Sequence, residues 1–311
     1  MIVKCLPAAC DGHVTIPPSK SMAHRAIICA SLAQGTSILS NVSYSKDIIA
    51  TMEAMKILGA QIIQKEDQLI ITGTNKLQAS QTDIFCNESG STLRFLIPIF
   101  SLCNQKLSFS GAGRLMERPQ TIYQNLFHEK GLIFEQNPQG ITIDASLPSG
   151  NYQIKGDVSS QFISGLLFTL PLLKGDSTLT ILPPYESKSY VDLTIQMLHH
   201  YGIQIHQGEN DTYVIPGNQT YQANDYTIEG DYSQLAFFGV YAAISGSCTI
   251  NGMNLQSYQG DKQIIEILNQ FGAKIEPLSN GYHITKDSLN GCTIDLANCP
   301  DLGPILCGLG M

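Results

Sequence analysis

The feature that most limits what this chain can become is a repeat of about 70 residues. A chain built from copies of one supersecondary unit must stack those copies, since no copy buries its apolar face alone. Amphipathic segments end at Gly59, Gly131, Gly202 and Gly272, at intervals of 72, 71 and 70 residues. Glycine just past a helix takes the left-handed conformation that ends it. Each is followed by an alternating stretch, a polar turn and a second stretch, such as residues 61–64 with 68–72, 131–135 with 140–144, and 203–206 with 212–215. These read as hairpins. A second recurring piece starts with small polar residues near Ser21, Ser91, Ser160 and Ser233, at spacings of 70, 69 and 73, and turns strongly apolar. Short β-rich stretches follow at 36–40, 106–110, 177–181 and 247–251. Each unit therefore reads strand, helix, strand, helix, strand, strand, which makes the chain α/β. Residues 162–173 are apolar nearly all round, as a buried helix is, so the first helices should pack inward with their polar starts gathered at one end.

A fifth unit opens with an expected strand at 291–296 and an apolar helix from Pro300, and the sequence stops at Met311. An apolar helix with no sheet over it exposes surface that is normally covered, and the expectation is a fragment or truncated product. Residues 15–222 are expected to form one complete domain of three βαβαββ units, and 1–14 with 223–311 a partial second one, with crossings near Pro17 and Asn224.

With 311 residues and 43% hydrophobic content the chain has ample core material. No apolar run approaches the roughly 18 residues of a membrane span, and the first residues lack a signal peptide's apolar core, so a cytoplasmic protein is expected. Nine cysteines without a C-x-x-C pair suggest buried thiols, neither zinc nor a redox pair. The net charge of −8, with no block of Lys or Arg, argues against a nucleic-acid surface. Any anionic ligand must be met by local charge.

Such charge sits at the helix starts. Pro17 and Pro18 place the first helix at Ser19 or Lys20, where Lys20 and Arg25 add full charges to a positive helix end suited to an anion. Glu88-Ser89-Gly90-Ser91-Thr92 and Arg94 open the second unit, with backbone N–H groups free for a phosphate. Arg114 and Arg118 lie in a glycine-rich loop closed by Pro119; two arginines can clamp a carboxylate or phosphate, or one can pair with Glu117. Ser159, Ser160 and Gln161 open the third unit, Ser187-Lys188-Ser189-Tyr190 its second helix, and Asp301 the fifth unit. His199 and His200 face different ways from a helix end and read as solvated side chains rather than metal ligands.

Taken together, Ser19-Lys20-Ser21 with Arg25, Ser89-Gly90-Ser91-Thr92 with Arg94, residues 114–119, Val158 to Phe162, residues 187–190, Glu229-Gly230-Asp231 and Pro300-Asp301 resemble the 5-enolpyruvylshikimate-3-phosphate synthase family, from Pro17 to the last residue. The resemblance implies inside-out α/β barrel-like domains of three units each. It also implies transfer of the enolpyruvyl group of phosphoenolpyruvate to the 5-hydroxyl of shikimate 3-phosphate, with release of phosphate, on the way to chorismate and the aromatic amino acids. By the same resemblance Lys20 touches both substrates, and Ser21, Arg25, Ser159, Ser160, Gln161, Ser187 and Tyr190 hold shikimate 3-phosphate. Gly90 and Arg118, with Lys20 and Gln161, bind phosphoenolpyruvate, and Asp301 takes the proton from the attacking hydroxyl. No cofactor or metal is implied, the partners are the two small substrates, and a monomer is expected. Glu88 departs from the Asn that many members carry there. The family's Lys-Glu-x-x-Arg and Asp-His-Arg segments and a late lysine lie beyond Met311, so the 311 residues alone are expected to be inactive or nearly so, with turnover below roughly 1 s⁻¹. The rival enolpyruvyl transferase acting on UDP-N-acetylglucosamine carries a reactive cysteine in the loop equivalent to residues 114–119, and no cysteine lies between Cys103 and Cys248 here. A non-catalytic phospho-ligand-binding fragment is the other alternative. A purely structural repeat protein would have no reason to set basic residues at helix starts.

Overall fold

The computed structural model describes residues 9, 11–144 and 146–310. Residues 1–8 and 10, on which part of the expected second domain falls, lie outside the described residues. In chain order β1 (Asp11–Thr15) comes first, followed by a first copy of the unit: α1 (Lys20–Leu32), β2 (Thr36–Ser40), α2 (Lys46–Ile57), β3 (Gln61–Lys65) and β4 (Gln68–Thr72). The second copy is β5 (Asp83–Phe85), α3 (Gly90–Ser101), β6 (Lys106–Ser110), α4 (Thr121–Glu129), β7 (Ile133–Asn137) and β8 (Gly140–Asp144). The third is β9 (Asn151–Lys155), α5 (Ser160–Thr169), β10 (Ser177–Leu182), α6 (Lys188–His200), β11 (His206–Gln207) and β12 (Thr212–Ile215). The fourth is β13 (Tyr226–Thr227), α7 (Tyr232–Ser245), β14 (Ser247–Asn251), α8 (Ile264–Gln270), β15 (Lys274–Leu278) and β16 (Gly281–Thr285), and α9 (Gly303–Leu309) closes the described chain. The glycines that end α2, α4, α6 and α8 all have positive φ: +116° at Gly59, +72° at Gly131, +81° at Gly202 and +96° at Gly272. No helix among the described residues is long and apolar enough to cross a membrane.

The strands form four-stranded sheets of one design, in the orders β13-β2-β4-β3, β5-β6-β8-β7, β9-β10-β12-β11 and β1-β14-β16-β15. In each, the opening strand runs parallel to the strand after the first helix, and the rest pair antiparallel, as in Tyr152 opposite Leu179 and Tyr213 opposite Leu179. Two opening strands are exchanged. β1, at the start of the chain, pairs with β14 of the fourth copy, and β13, at the start of the fourth copy, pairs with β2 of the first.

The chain divides into a larger unit, Lys20–Ile228, and a smaller one, Met1–Ser19 with Glu229–Met311. Both divisions fall a few residues beyond the limits 14/15 and 222/223. Ile16 and Ser19 donate their N–H groups to Asn251 and Glu229 of the smaller unit, whereas Tyr226 and Thr227 still pair with Leu39 and Ser40 of the larger. In the larger unit α1, α3 and α5 form a continuous core with almost no exposed apolar surface, including Ile27, Ile28, Leu93, Phe95, Leu96, Phe162, Leu166 and Phe168. α3 and α5 run in close contact: a methyl group on Gly165 would overlap the Arg94 carbonyl oxygen and the Tyr123 hydroxyl. Burial of this kind contributes roughly 1.5–3 kcal/mol per large side chain and fixes the helix starts relative to one another. In the smaller unit α7 covers its sheet with Leu235, Ala236, Val240 and Ala243, while Phe237, Phe238, Tyr241 and Ile244 stay exposed.

Three sequence expectations need correction. The buried helix of residues 162–173 ends at Thr169 and continues as a 3-10 turn at Leu170–Leu172, because Pro171 has no N–H to extend an α-helix. Residues 291–296 form no strand; opening strands here pair with a strand beyond the following helix, and no such partner exists among the described residues. The strand expected at 203–206 shrinks to His206–Gln207, since Gln219 supplies the bonds a neighbouring strand would make: its Oε1 accepts from the Gln204 N–H at 2.7 Å and its Nε2 donates to the Gln204 carbonyl at 2.8 Å.

Candidate functional site

In the larger unit, α3 and α5 begin in the same way, with a serine side chain accepting a backbone N–H of the first turn: Ser89 from Thr92 at 3.1 Å and Ser159 from Gln161 at 3.3 Å. One hydroxyl satisfies one of the four free N–H groups at a helix start and leaves the others, with the positive helix end, available. Ser187 precedes α6 with φ +54°, and its hydroxyl makes no capping bond. Ser160 is 8% exposed.

Three of the sequence-predicted residues are brought together. A side-chain carbon on Gly90 would lie 3.2 Å from Arg118 Nη1 and 3.7 Å from Gln161 Oε1, so the start of α3, the end of the glycine-rich loop and the first turn of α5 face one space. Gln161 is held there from both sides, accepting from Arg94 Nη1 at 3.0 Å and donating to Ser91 Oγ at 2.9 Å. Arg94 also reaches Ser159 Oγ at 3.4 Å and lies 4.6 Å over the Phe162 ring. Burial is the main cause that lowers its pKa, and the nearby Arg118 adds to this. Two guanidinium groups this close, with no carboxylate on either among the described residues, define a strongly positive spot. Arg114 behaves differently: it is exposed and pairs with Glu117 at 2.7 Å. With Arg118 and Pro119 these two line an open concavity.

Arg25 departs from the expectation of an open cation at a helix end. It is 2% exposed. Its guanidinium donates to the Ser21 carbonyl at 2.8 Å, the Tyr190 carbonyl at 2.9 Å and Thr194 Oγ1 at 2.8 Å, tying α1 to α6. Burial lowers its pKa to about 10, which leaves it charged at neutral pH, and the Phe95 ring lies 5.2 Å from it. Arg25 thereby sets the positions of Ser21 and Tyr190. Lys20 remains half exposed and pairs with Asp47 Oδ2 at 2.9 Å.

Sequence reasoning did not find a buried chain of hydroxyls next to this pair. Thr92 Oγ1 donates to Ser89 Oγ at 2.7 Å, Thr51 Oγ1 lies 2.7 Å from Thr92 Oγ1, and His24 Nδ1 lies 2.8 Å from Thr51 Oγ1. Each hydroxyl has one proton, so Thr51 donates to Thr92 and His24 carries its proton on Nδ1 to donate to Thr51. His24 Nε2 is then a bare acceptor, buried and without a partner. Burial, then the charge of Lys20, lowers the His24 pKa to about 3. Thr51 was detectable as the polar member of an otherwise apolar stripe on α2, beside Ile48, Met52 and Met55.

Asp301 lies in the smaller unit, exposed, in the 3-10 turn Pro300–Leu302 that leads into α9. In the same unit Asp231 caps α7 by accepting from the Ser233 N–H at 3.0 Å, and the Glu229 carboxylate is held by Asn254 at 2.7 Å, Gln259 at 2.7 Å and the Ser257 hydroxyl.

Comparison with known proteins gives one family. A family model described as EPSP synthase (3-phosphoshikimate 1-carboxyvinyltransferase) matches residues 6–311. A 3-phosphoshikimate 1-carboxyvinyltransferase of Clostridium perfringens (strain SM101 / Type A) is 48% identical over 304 residues, which are 96% of this chain and 72% of the relative. One of Clostridium kluyveri is 44% identical over 305 residues, 97% of this chain and 72% of the relative. An EPSP synthase structure from Acinetobacter baumannii superposes with a TM-score of 0.79 at 24% identity over 96% of this chain and 70% of its own, which is a likeness of fold.

Proposed function

The chain belongs to the EPSP synthase family, and from that membership we propose that the polar helix starts of its larger unit receive the two substrates of the family's reaction. EPSP synthases are shikimate-pathway transferases that join phosphoenolpyruvate to shikimate 3-phosphate. In this reading phosphoenolpyruvate takes the space between Gly90, Arg118 and Gln161, with Lys20 at its edge. Shikimate 3-phosphate lies along Ser159, Ser160, Ser187 and Tyr190, near Ser21 and Arg25. The observation that carries the reading is charge without compensation. In a chain of net charge −8, Arg25, Arg94 and Arg118 have no carboxylate among the described residues.

The chemistry follows from that placement. Both substrates are polyanions, and bringing them together costs repulsion that fixed cations and helix N–H groups offset before any bond forms. The same donors face the charge that develops as the enolpyruvyl group passes through its tetrahedral state. Lys20, already oriented by Asp47, can exchange that partner for a substrate anion. Isothermal titration of the chain with each substrate tests the reading. Arg118→Ala is expected to weaken phosphoenolpyruvate by roughly tenfold or more, the scale of a charge-assisted bond, and Ser160→Val to weaken shikimate 3-phosphate selectively. Unchanged affinity for phosphoenolpyruvate in Arg118→Ala would sink the placement.

A further inference from the structure

We propose that Gln136, which lies outside every motif described above, is the positioning residue that aims Arg118 at its anion. The inference rests on the reading that Arg118 meets phosphoenolpyruvate. Arg118 follows the 3-10 turn Leu115–Glu117 and has an extended backbone, with φ −70° and ψ +127°. A turn this short leaves carbonyl groups without helical partners, and here one side chain collects them. Gln136 Nε2 donates to the Met116 carbonyl at 2.9 Å and to the Arg118 carbonyl at 3.0 Å, while its Oε1 accepts from the Gln120 N–H at 3.3 Å. Gln120, 1% exposed, adds a bond from Nε2 to the Arg118 carbonyl at 3.3 Å.

The loop is thus gripped on both sides of the arginine. Gln136 itself is rigid, because it sits inside β7 with Ile141 of β8 opposite it, and the buried Leu115 and Met116 anchor the turn from below. Only a primary amide offers two donor hydrogens and an acceptor from one planar group. A carboxylate of the same shape would keep the acceptor for the Gln120 N–H but set an oxygen, in place of the donor nitrogen, against both carbonyl oxygens. Arg118 Nη1 sits 3.2 Å from the position a Gly90 side-chain carbon would take, so a small tilt of the backbone at Arg118 moves the guanidinium out of the shared space.

The test compares Gln136→Glu and Gln136→Met in the full 311-residue chain with Arg118→Ala, by titration with phosphoenolpyruvate and, separately, shikimate 3-phosphate. Both Gln136 variants are expected to raise the phosphoenolpyruvate dissociation constant about tenfold, as loss of the two hydrogen bonds that fix the backbone around Arg118 would, and to leave shikimate 3-phosphate within about twofold. Hydrogen exchange adds a readout that mere destabilisation would not give: the Gln120 amide should stay protected in Gln136→Glu, which keeps the acceptor, and lose protection in Gln136→Met. Phosphoenolpyruvate affinity that falls in Arg118→Ala but not in the Gln136 variants overturns the inference alone. Equal losses for both substrates, with a lowered melting temperature, overturn it in favour of a purely structural role. Unchanged phosphoenolpyruvate affinity in Arg118→Ala overturns both the inference and the placement on which it rests.

Discussion

His24 and Arg25 are neighbours on α1, both almost completely buried, and they hold opposite charge states at neutral pH. The difference lies in their starting points. Burial disfavours the charged form of each, but an arginine brought down to about 10 is still a cation, whereas a histidine brought down to about 3 is neutral across the physiological range. The proton on His24 Nδ1 sets the direction of the hydroxyl chain to Ser89, and the buried ring stays neutral with a bare Nε2. It also couples stability to acid. Between about pH 6.5, where an unfolded histidine protonates, and about pH 3, where the folded one does, the unfolded state binds the extra proton. Stability present above pH 6.5 is therefore lost as pH falls, at up to about 1.4 kcal/mol per unit. Denaturant titrations at pH 7 and pH 5 should show His24→Asn losing less stability between the two than the unsubstituted chain, by about 1 kcal/mol or more. An equal loss would show that His24 titrates normally. The sequence made Lys20 and Arg25 visible as cations beside a helix start. It could not show that Arg25 is buried, because the groups that pay for this, Tyr190 and Thr194, come from α6, more than 160 residues away.

Helices α3 and α7 occupy the same place in the second and fourth copies of the repeat, and the positions filled by Phe95, Leu96 and Ile99 in one are filled by Phe237, Phe238 and Tyr241 in the other. In α3 all three are buried; in α7 the exposures are 50%, 37% and 44%. Equivalent substitutions should then have unequal effects. Phe95→Ala is expected to cost about 3–5 kcal/mol, as aromatic truncation in a packed core does, and Phe237→Ala less than about 1 kcal/mol. Urea unfolding of the two variants measures the difference, and similar losses would mean that the face of α7 is covered in solution. At this scale much was legible from the sequence. The helix-ending glycines recur because every second helix of a copy must reverse into a hairpin, and that need repeats with the fold. Failures came where a side chain or a distant segment replaced a local rule: Gln219 standing in for a strand beside Gln204, and residues 291–296 lacking the neighbour that a lone strand requires.

The two units differ in how completely they bury their cores, and this should separate their unfolding. The larger buries three of its six helices, α1, α3 and α5, in one core with three sheets; the smaller has, among the described residues, one sheet under α7, whose outer side is exposed. Under rising denaturant, thiol labelling read by mass spectrometry should therefore modify the exposed Cys292 and Cys307 at once, then the buried Cys248 and Cys299 of the smaller unit, and last Cys29 and Cys86 of the larger. Simultaneous labelling of Cys248 and Cys299 with Cys29 and Cys86 would indicate a single cooperative transition. The exchanged strands bear on how such a molecule is made. β1 leaves the ribosome well before its neighbour β14, which emerges 236 residues later, the separation of Asp11 from Ser247. At about 5–20 residues per second that is a wait of roughly 10–50 s, during which the newborn segment has nothing to pair with. Its sequence, Asp11-Gly12-His13-Val14-Thr15, is mostly polar, a composition that tolerates delay in water without sticking to other nascent chains.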